Sequence, residues 1–199
     1  MGRAALSQDD VAEFRRRATD AATALFAEQG YGAVTMRALG AALGVSAMTP
    51  YRYFSGKDEL FDLVRAEAFR QFADRLERSL AGRGGPLVRL QRLKAAYIRF
   101  ATDRPDAYRI MFQLEQPDRA PSRELAAEST RAFGCLHRTV VEAVAAGELS
   151  GDALTIAHLL WANTHGLVSL HLAGRLGLGR SLARLAAIDH ELSAFRRKS

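Results

Sequence analysis

The chain has a single cysteine, Cys135, in 199 residues. This excludes an intrachain disulfide and any zinc site built from several cysteines. No apolar run reaches the eighteen or so residues that a membrane span needs, so no membrane partner is expected. The first ten residues, MGRAALSQDD, lack the apolar core of a signal peptide, and a cytoplasmic location is expected. The spacings of catalysis are missing too. There is no HExxH pair, no glycine loop suited to cradling a phosphate, no paired-carboxylate motif and no Ser-His-Asp spacing. An enzyme is therefore not expected, nor a cofactor or a bound metal. Strand signals are poor, and neither an internal repeat nor a low-complexity tract occurs. Strong helical periodicity and a hydrophobic content of 48% remain. They predict an all-α chain with a sizeable core.

Charge is unevenly placed. The net charge of +6 would suit a nucleic-acid partner. Residues 1–60 nevertheless hold seven basic and seven acidic side chains, residues 61–102 hold nine and four, and residues 103–199 hold twelve and eleven. The excess lies between 61 and 102. A DNA-binding argument must therefore rest on placed residues, namely Arg3, Arg37, Arg52 and Lys57, and not on bulk charge. Arg15, Arg16 and Arg17 fit a solvated helix face, from which one could still reach a phosphate.

Val11, Phe14, Ala18, Ala21, Leu25 and Phe26 share one stripe and predict a first helix over 9–29, ended by Gly30 and Gly32. A second helix follows at about 36–43, a third at 47–53 and a long fourth at 57–80. AGRGGP at 81–86 is the clearest break. Beyond it, helices are expected over 87–102, 105–114, 122–146, 152–175 and 181–197, with a loop at 116–123. Asp152 is placed to cap the helix it precedes.

The run from Ala38 to Leu60, ALGAALGVSAMTPYRYFSGKDEL, is the most informative. Leu39, Ala42 and Leu43 form an apolar stripe. Gly44 stops that helix, since glycine accepts the left-handed geometry wanted one residue past a helix end. Val45 plugs the turn, and Ser46 can cap the next helix. Tyr51, Arg52 and Tyr53 can project from that helix, while Phe54 anchors it. Such a short, capped, aromatic and cationic helix suits the DNA major groove. Thr35 caps the second helix, whose free N–H groups can also receive a phosphate, and Lys57 repeats this logic at the fourth. Met48, Thr49 and Arg52 are the candidates for base edges. Tyr51 and Tyr53 offer hydroxyls to phosphates.

This run, with AATALFAEQGYGAVTMRALGAALGVS before it and YRYFSGKDELFDLV at its end, resembles the DNA-binding region of TetR-family transcriptional regulators. The resemblance implies DNA contact by Thr35, Arg37, Ser46, Met48, Thr49, Tyr51, Arg52, Tyr53 and Lys57. One departure is Pro50, where leucine is common in the family. Proline removes an N–H and disfavours helical geometry at Thr49.

The second half resembles the WHG-type C-terminal domain of some TetR regulators, through YIRFATDRPDAYRIMF and WANTHGLVSLHLAGRL, with Trp161, His165 and Gly166 as its namesakes. The resemblance implies a helical domain that binds a ligand and dimerises. Tyr97, Phe100, Tyr108, Phe112, Phe133, Trp161 and His165 are then candidates to line an apolar pocket, although the same residues could fill a core. His137, His158 and His165 could be imagined around a metal, but packing and hydrogen bonding account for them better. Gly166, with Ala162, could let another helix approach. Cys135 fits a buried, inert thiol.

The expectation is thus a helix-turn-helix domain over 11–71 and a regulatory and dimerisation domain over 87–199. The chain would act as a homodimeric, sequence-specific repressor on a pseudo-palindromic operator, released by a small-molecule effector of apolar character. The alternatives are a helical enzyme or an interaction protein with a vestigial DNA-binding domain. The missing catalytic spacings oppose the first. Intact Thr35, Tyr51, Tyr53 and Lys57 oppose the second.

Overall fold

The computed structural model describes residues 8–112, 118–177, 181–186 and 195. Among these, every regular element is helical. The order is α1 (Gln8–Ala33), α2 (Met36–Ala42), a 3-10 turn (Pro50–Arg52), α3 (Lys57–Leu80), α4 (Pro86–Asp103), α5 (Pro105–Phe112), α6 (Arg123–Ala145), α7 (Ala153–Leu172), a second 3-10 turn (Arg175–Gly177) and α8 (Leu182–Ala186). The all-α fold expected from the periodicity is the fold observed. Of the helix expected over 181–197, the stretches 187–194 and 196–197 lie outside the described residues, as does Arg3.

The chain forms two compact units. The first is Met1–Phe69 with Asp106–Ala127. Its core gathers Ala18, Ala22, Phe26, Val34, Met36, Leu39, Phe54, Leu60, Phe61, Val64 and Ile110, all nearly or wholly removed from solvent. The small residues on α1 recur at helical spacing and let α1 approach closely, while Phe26 packs its ring against Phe61 at 4.7 Å. Asp62, a buried carboxylate on α3, ties residues 119–122 to this unit. It accepts from the Arg119 guanidinium at 3.0 Å and from the Ser122 amide at 2.8 Å. A buried charge persists only when paired and hydrogen-bonded in this way.

The second unit is Arg70–Pro105 with Glu128–Ser199. Leu76, Leu90, Leu93, Tyr97, Phe100, Cys135, Val140, Ile156, Leu160 and Val168 are buried there. Phe72 meets Tyr97 edge-on at 5.1 Å and Phe100 at 5.0 Å. Asp152 caps α7 as expected, accepting from the Thr155 amide at 2.8 Å and hydroxyl at 2.7 Å. Those two donors hold its carboxyl below the usual carboxylate range. Among the described residues, no helix is long and apolar enough to cross a membrane.

Candidate nucleic-acid interface

The first unit builds a two-helix corner around α2. Thr35 has extended backbone geometry, and its Oγ1 accepts from the Ala38 amide at 3.1 Å, so it caps α2. Leu39 is fully buried on the inner face, whereas Arg37 points to solvent. Gly44, at φ 68°, closes the helix. The Val45 amide reaches the Gly40 carbonyl at 2.9 Å and the Gly44 amide reaches that of Ala41 at 3.1 Å. This pair of crossed bonds is the Schellman closure and satisfies carbonyls the helix leaves open.

Gly40 has a separate role. A Cβ there would stand 3.1 Å from the Ser46 carbonyl oxygen and 3.2 Å from the Ala47 Cα. The turn's backbone therefore lies directly on α2, and this contact sets where the next segment leaves the corner.

That next segment differs from expectation. In place of an α-helix over 47–53, the chain makes one turn and then a single 3-10 turn at Pro50–Arg52. Three of its backbone bonds run i to i+3, Thr49 to Ser46, Arg52 to Thr49 and Tyr53 to Pro50, at 2.9, 3.1 and 3.0 Å, and the Phe54 amide also reaches the Pro50 carbonyl at 3.0 Å. Pro50 explains the change. An α-helix would need the residue-50 N–H to reach the Ser46 carbonyl, and proline has none, so the Thr49 amide takes that carbonyl through the tighter pattern. Thr49 itself stays helical, at φ −61° and ψ −45°, contrary to the usual bias before proline. Ser46 does not cap through its side chain. Its hydroxyl shares a 2.9 Å bond with the Thr49 hydroxyl.

The side chains of this segment divide by accessibility. Met48 is 68% exposed and Tyr51 51%, and Ser46 and Arg52 also face solvent. Pro50 and Phe54 are buried beneath them. Tyr53 is turned inward, its ring stacked on Phe14 at 3.9 Å with 20° between planes. Lys57 is also engaged internally. Its Nζ donates to the Tyr31 carbonyl at 3.0 Å, approaches that of Gly32 at 3.4 Å and lies 4.3 Å from the Tyr31 ring centre. It therefore caps the end of α1 from the start of α3, where a cation is favourable. The Tyr31 hydroxyl bonds Asp58, and burial together with that carboxylate pushes the phenol up to about 12.

A clamp holds the segment from behind. Arg15 donates to the Tyr53 carbonyl at 2.5 Å, pairs with Glu59 at 3.2 Å and lies 4.8 Å from the Phe54 ring centre. Glu59 in turn accepts from the Ser55 amide at 2.7 Å and hydroxyl at 2.9 Å. The Ser55 amide first, then its hydroxyl and Arg15, hold this carboxyl low against the opposing effect of burial. Arg16, by contrast, pairs along its own helix with Glu13 and Asp20 and belongs to the solvated face.

The seven residues expected around a pocket belong to both units, Tyr108 and Phe112 to the first and the other five to the second. Tyr97 and Trp161 line an apolar cavity of about 60 Å³ in the second unit, with Leu76, Leu90, Leu93 and Thr164. Phe100 packs on Phe72. Phe133 packs on Trp161 at 5.9 Å and on His158 at 4.7 Å. Tyr108 and Phe112 pack on one another, and Phe112 on Phe69, within the first unit. His165 Nδ1 shares a 3.1 Å bond with the Tyr97 hydroxyl, and Nε2 a 3.3 Å bond with Ser169. Burial pushes the His165 imidazole below its ordinary value. His158 bonds the Leu154 carbonyl within its own helix. Cys135 is buried, which raises its thiol, and it contacts the Arg131 carbonyl.

Comparison with known proteins assigns both halves. Residues 18–64 match the model of the bacterial regulatory proteins of the tetR family. Residues 90–195 match that of the tetracyclin repressor-like C-terminal domain. The chain belongs to the TetR family of transcriptional regulators. It is a DNA-binding regulator, not an enzyme. Among relatives, the transcriptional regulator HbdR of Aromatoleum sp. is 28% identical over 138 residues, covering 69% of this chain. The chain spans 60% of the length of HbdR. Rv1816 of Mycobacterium tuberculosis is 22% identical over 182 residues, covering 75% of this chain and 76% of its own. A protein of unknown function from Rhodococcus sp. RHA1 has the same fold, with a TM-score of 0.80 at 24% identity, covering 92% of this chain and 95% of that one.

For this TetR regulator, sequence reasoning missed three supporting residues. Gly40 had a legible signal, because a glycine inside a seven-residue helix costs about 1 kcal/mol relative to alanine unless something needs the space. Arg15 and Glu59 had none. Their partners lie far along the chain, and nothing local separates Arg15 from Arg16 or Arg17.

Proposed function

We propose that the chain is a homodimeric repressor that a small, mostly apolar ligand releases from a pseudo-palindromic operator. The reading rests on one observation: Arg37, Ser46, Met48, Tyr51 and Arg52 are solvent-facing on a capped helix-turn-helix corner. Arg52 suits a guanine edge, Met48 and Thr49 suit a thymine methyl, and Tyr51 and the N-terminus of α2 at Thr35 suit phosphates. Tyr53 and Lys57 support this surface from inside. Residues 11–71 are the DNA-binding module, and residues 87–199 the regulatory and dimerisation module.

The dimer is supported by α7. Its twenty residues include no Asp, Glu, Lys or Arg. Leu154, Leu159 and Leu170 are nonetheless about half exposed. A helix apolar all round is normally covered on all sides, and a second copy of α7 would cover these leucines. Twofold symmetry then sets two recognition segments about 34–36 Å apart, or a longer distance. The cavity beside Tyr97 and Trp161 is the candidate for the ligand. At about 60 Å³ it is smaller than the usual small-molecule site. A ligand must therefore widen it, and that supplies the differential affinity between two states that release requires.

The test is fluorescence anisotropy with DNA selected from random duplexes by the full-length protein. Arg52→Ala should cost about 1–3 kcal/mol and relax preference at one position per half-site. Tyr51→Ala should weaken binding to all sequences alike. Unchanged affinity and preference in both variants would remove the assignment of this surface. A monomer at micromolar concentration, with no dimer on DNA, would remove the dimer.

A further inference from the structure

The positive excess between residues 61 and 102 is not part of the helix-turn-helix corner, and its side chains fall into two groups. Several are matched. Arg89 pairs with Glu142, Arg92 donates to the Ala81 and Arg83 carbonyls, and Arg75 pairs with Asp103 at 2.5 Å. Arg78 and Arg99 have no ion-pair partner among the described residues, and neither does Arg104 just beyond. These three, with Arg75, open on one groove of about 570 Å³ within the second unit. Arg75 and Arg78 come from α3, Arg99 from α4 and Arg104 from the residue that caps α4. Ala96 and Phe100 lie at its base, both almost wholly buried. Its acidic member, Asp74, is held by Arg131 at 2.5 Å.

A matched arginine of the same unit shows the contrast. Arg131 alone meets Asp74, Glu77 and Glu128. The guanidiniums of Arg78, Arg99 and Arg104 lie together without an ion-pair partner among the described residues and repel one another, and a concave wall focuses their field and concentrates anions. All four cations are arginine. The planar fork grips phosphate oxygens in pairs, which a lysine ammonium cannot do. The volume lies in the range of small-molecule sites, about 300–1,000 Å³. A concave groove of that size admits a compact ligand and not the convex side of a duplex. We propose that this arginine groove binds a small molecule carrying a di- or triphosphate. The site is separate from the cavity beside Trp161 and does not depend on the ligand proposed for that cavity.

Titration calorimetry on the full-length protein tests this with inorganic tripolyphosphate, ATP, citrate and a non-cognate duplex as probes. Tripolyphosphate and ATP should bind one per chain and weaken as salt rises. The triple variant Arg78→Gln, Arg99→Gln, Arg104→Gln should lose at least tenfold in affinity for both, and Arg17→Gln, an exposed arginine outside the groove, should change neither. If the triple variant melts below the parent, Arg99→Gln alone is read, with a threefold loss expected. Equal binding of citrate and tripolyphosphate would mean a charge trap without phosphate recognition and would overturn the proposal. So would absent binding in the parent, undiminished binding in the variants, or a loss confined to the duplex.

Discussion

Gly40→Val tests the claim that close backbone contact positions the DNA-facing segment. The nearest atoms to an added Cβ are the Ser46 carbonyl oxygen at 3.1 Å, the Ala47 Cα at 3.2 Å and the Val45 carbonyl oxygen at 3.4 Å. All three are backbone, so no side chain can swing aside. Alanine sets two terms against each other. It gains about 1 kcal/mol of helix propensity over glycine and must push the turn by a few tenths of an ångström. Its net effect on stability should be small. Valine recovers less of that propensity, and its two methyls extend about 1.5 Å beyond Cβ. They must displace Ser46 and Ala47 outright, at the overpacking cost of about 1–3 kcal/mol. Displacing Ser46 also displaces Met48, Tyr51 and Arg52, so operator affinity should fall by at least tenfold even where the protein remains folded. Urea unfolding gives the first quantity and anisotropy with the selected duplex the second, on parent, alanine and valine variants. Parental stability and affinity in the valine variant would refute the reasoning.

Other perturbations have separate outcomes. Lys57→Ala removes the cation from the Tyr31 carbonyl and ring, so it should lower unfolding stability by about 1–2 kcal/mol and leave the salt dependence of DNA binding unchanged. A salt slope reduced by about one would instead make Lys57 a phosphate contact. Phe26→Ala empties the centre of the first unit's core and should cost about 3–5 kcal/mol by urea unfolding. A loss below about 1 kcal/mol would mean that the core is not packed as described. His165 has its imidazole below the ordinary value, so the unfolded chain takes up its proton first as pH falls. Stability should be fully present above the unfolded value of about 6.5 and decline below it until the folded value is passed. Thermal unfolding of parent and His165→Gln between pH 5 and 8 reads this, and a slope as steep in the variant would assign the effect elsewhere.

The corner proposed to meet DNA presents Arg37 and Arg52, and the groove carries Arg78, Arg99 and Arg104 without an ion-pair partner among the described residues. A regulator with one apolar cavity and one phosphate-binding groove would respond to two chemistries through two separate surfaces of its second unit, each separable by substitution.

Much of the molecule was determined by local sequence. Helix periodicity, the glycine breaks and the caps at Thr35 and Asp152 are short-range effects, acting within a turn or two of chain, and α3, α4 and α7 therefore begin and end within a few residues of their expected limits. The helix-turn-helix corner was legible for the same reason, since Gly44, Val45 and the apolar stripe of α2 are contiguous. Pro50 was visible as a departure, but its consequence depended on which amide could take the Ser46 carbonyl in its place. Only tertiary structure decided the rest. Tyr51 and Tyr53 have the same chemistry two residues apart, and the stack on Phe14 is what turns one of them inward. Lys57 and Arg15 read as surface cations until α1 and α3 are brought together. The aromatic residues at 97–165 are equally able to line a pocket or fill a core. Periodicity fixes the face of a helix on which a side chain lies, and the identity of what packs against that face belongs to residues remote in the chain.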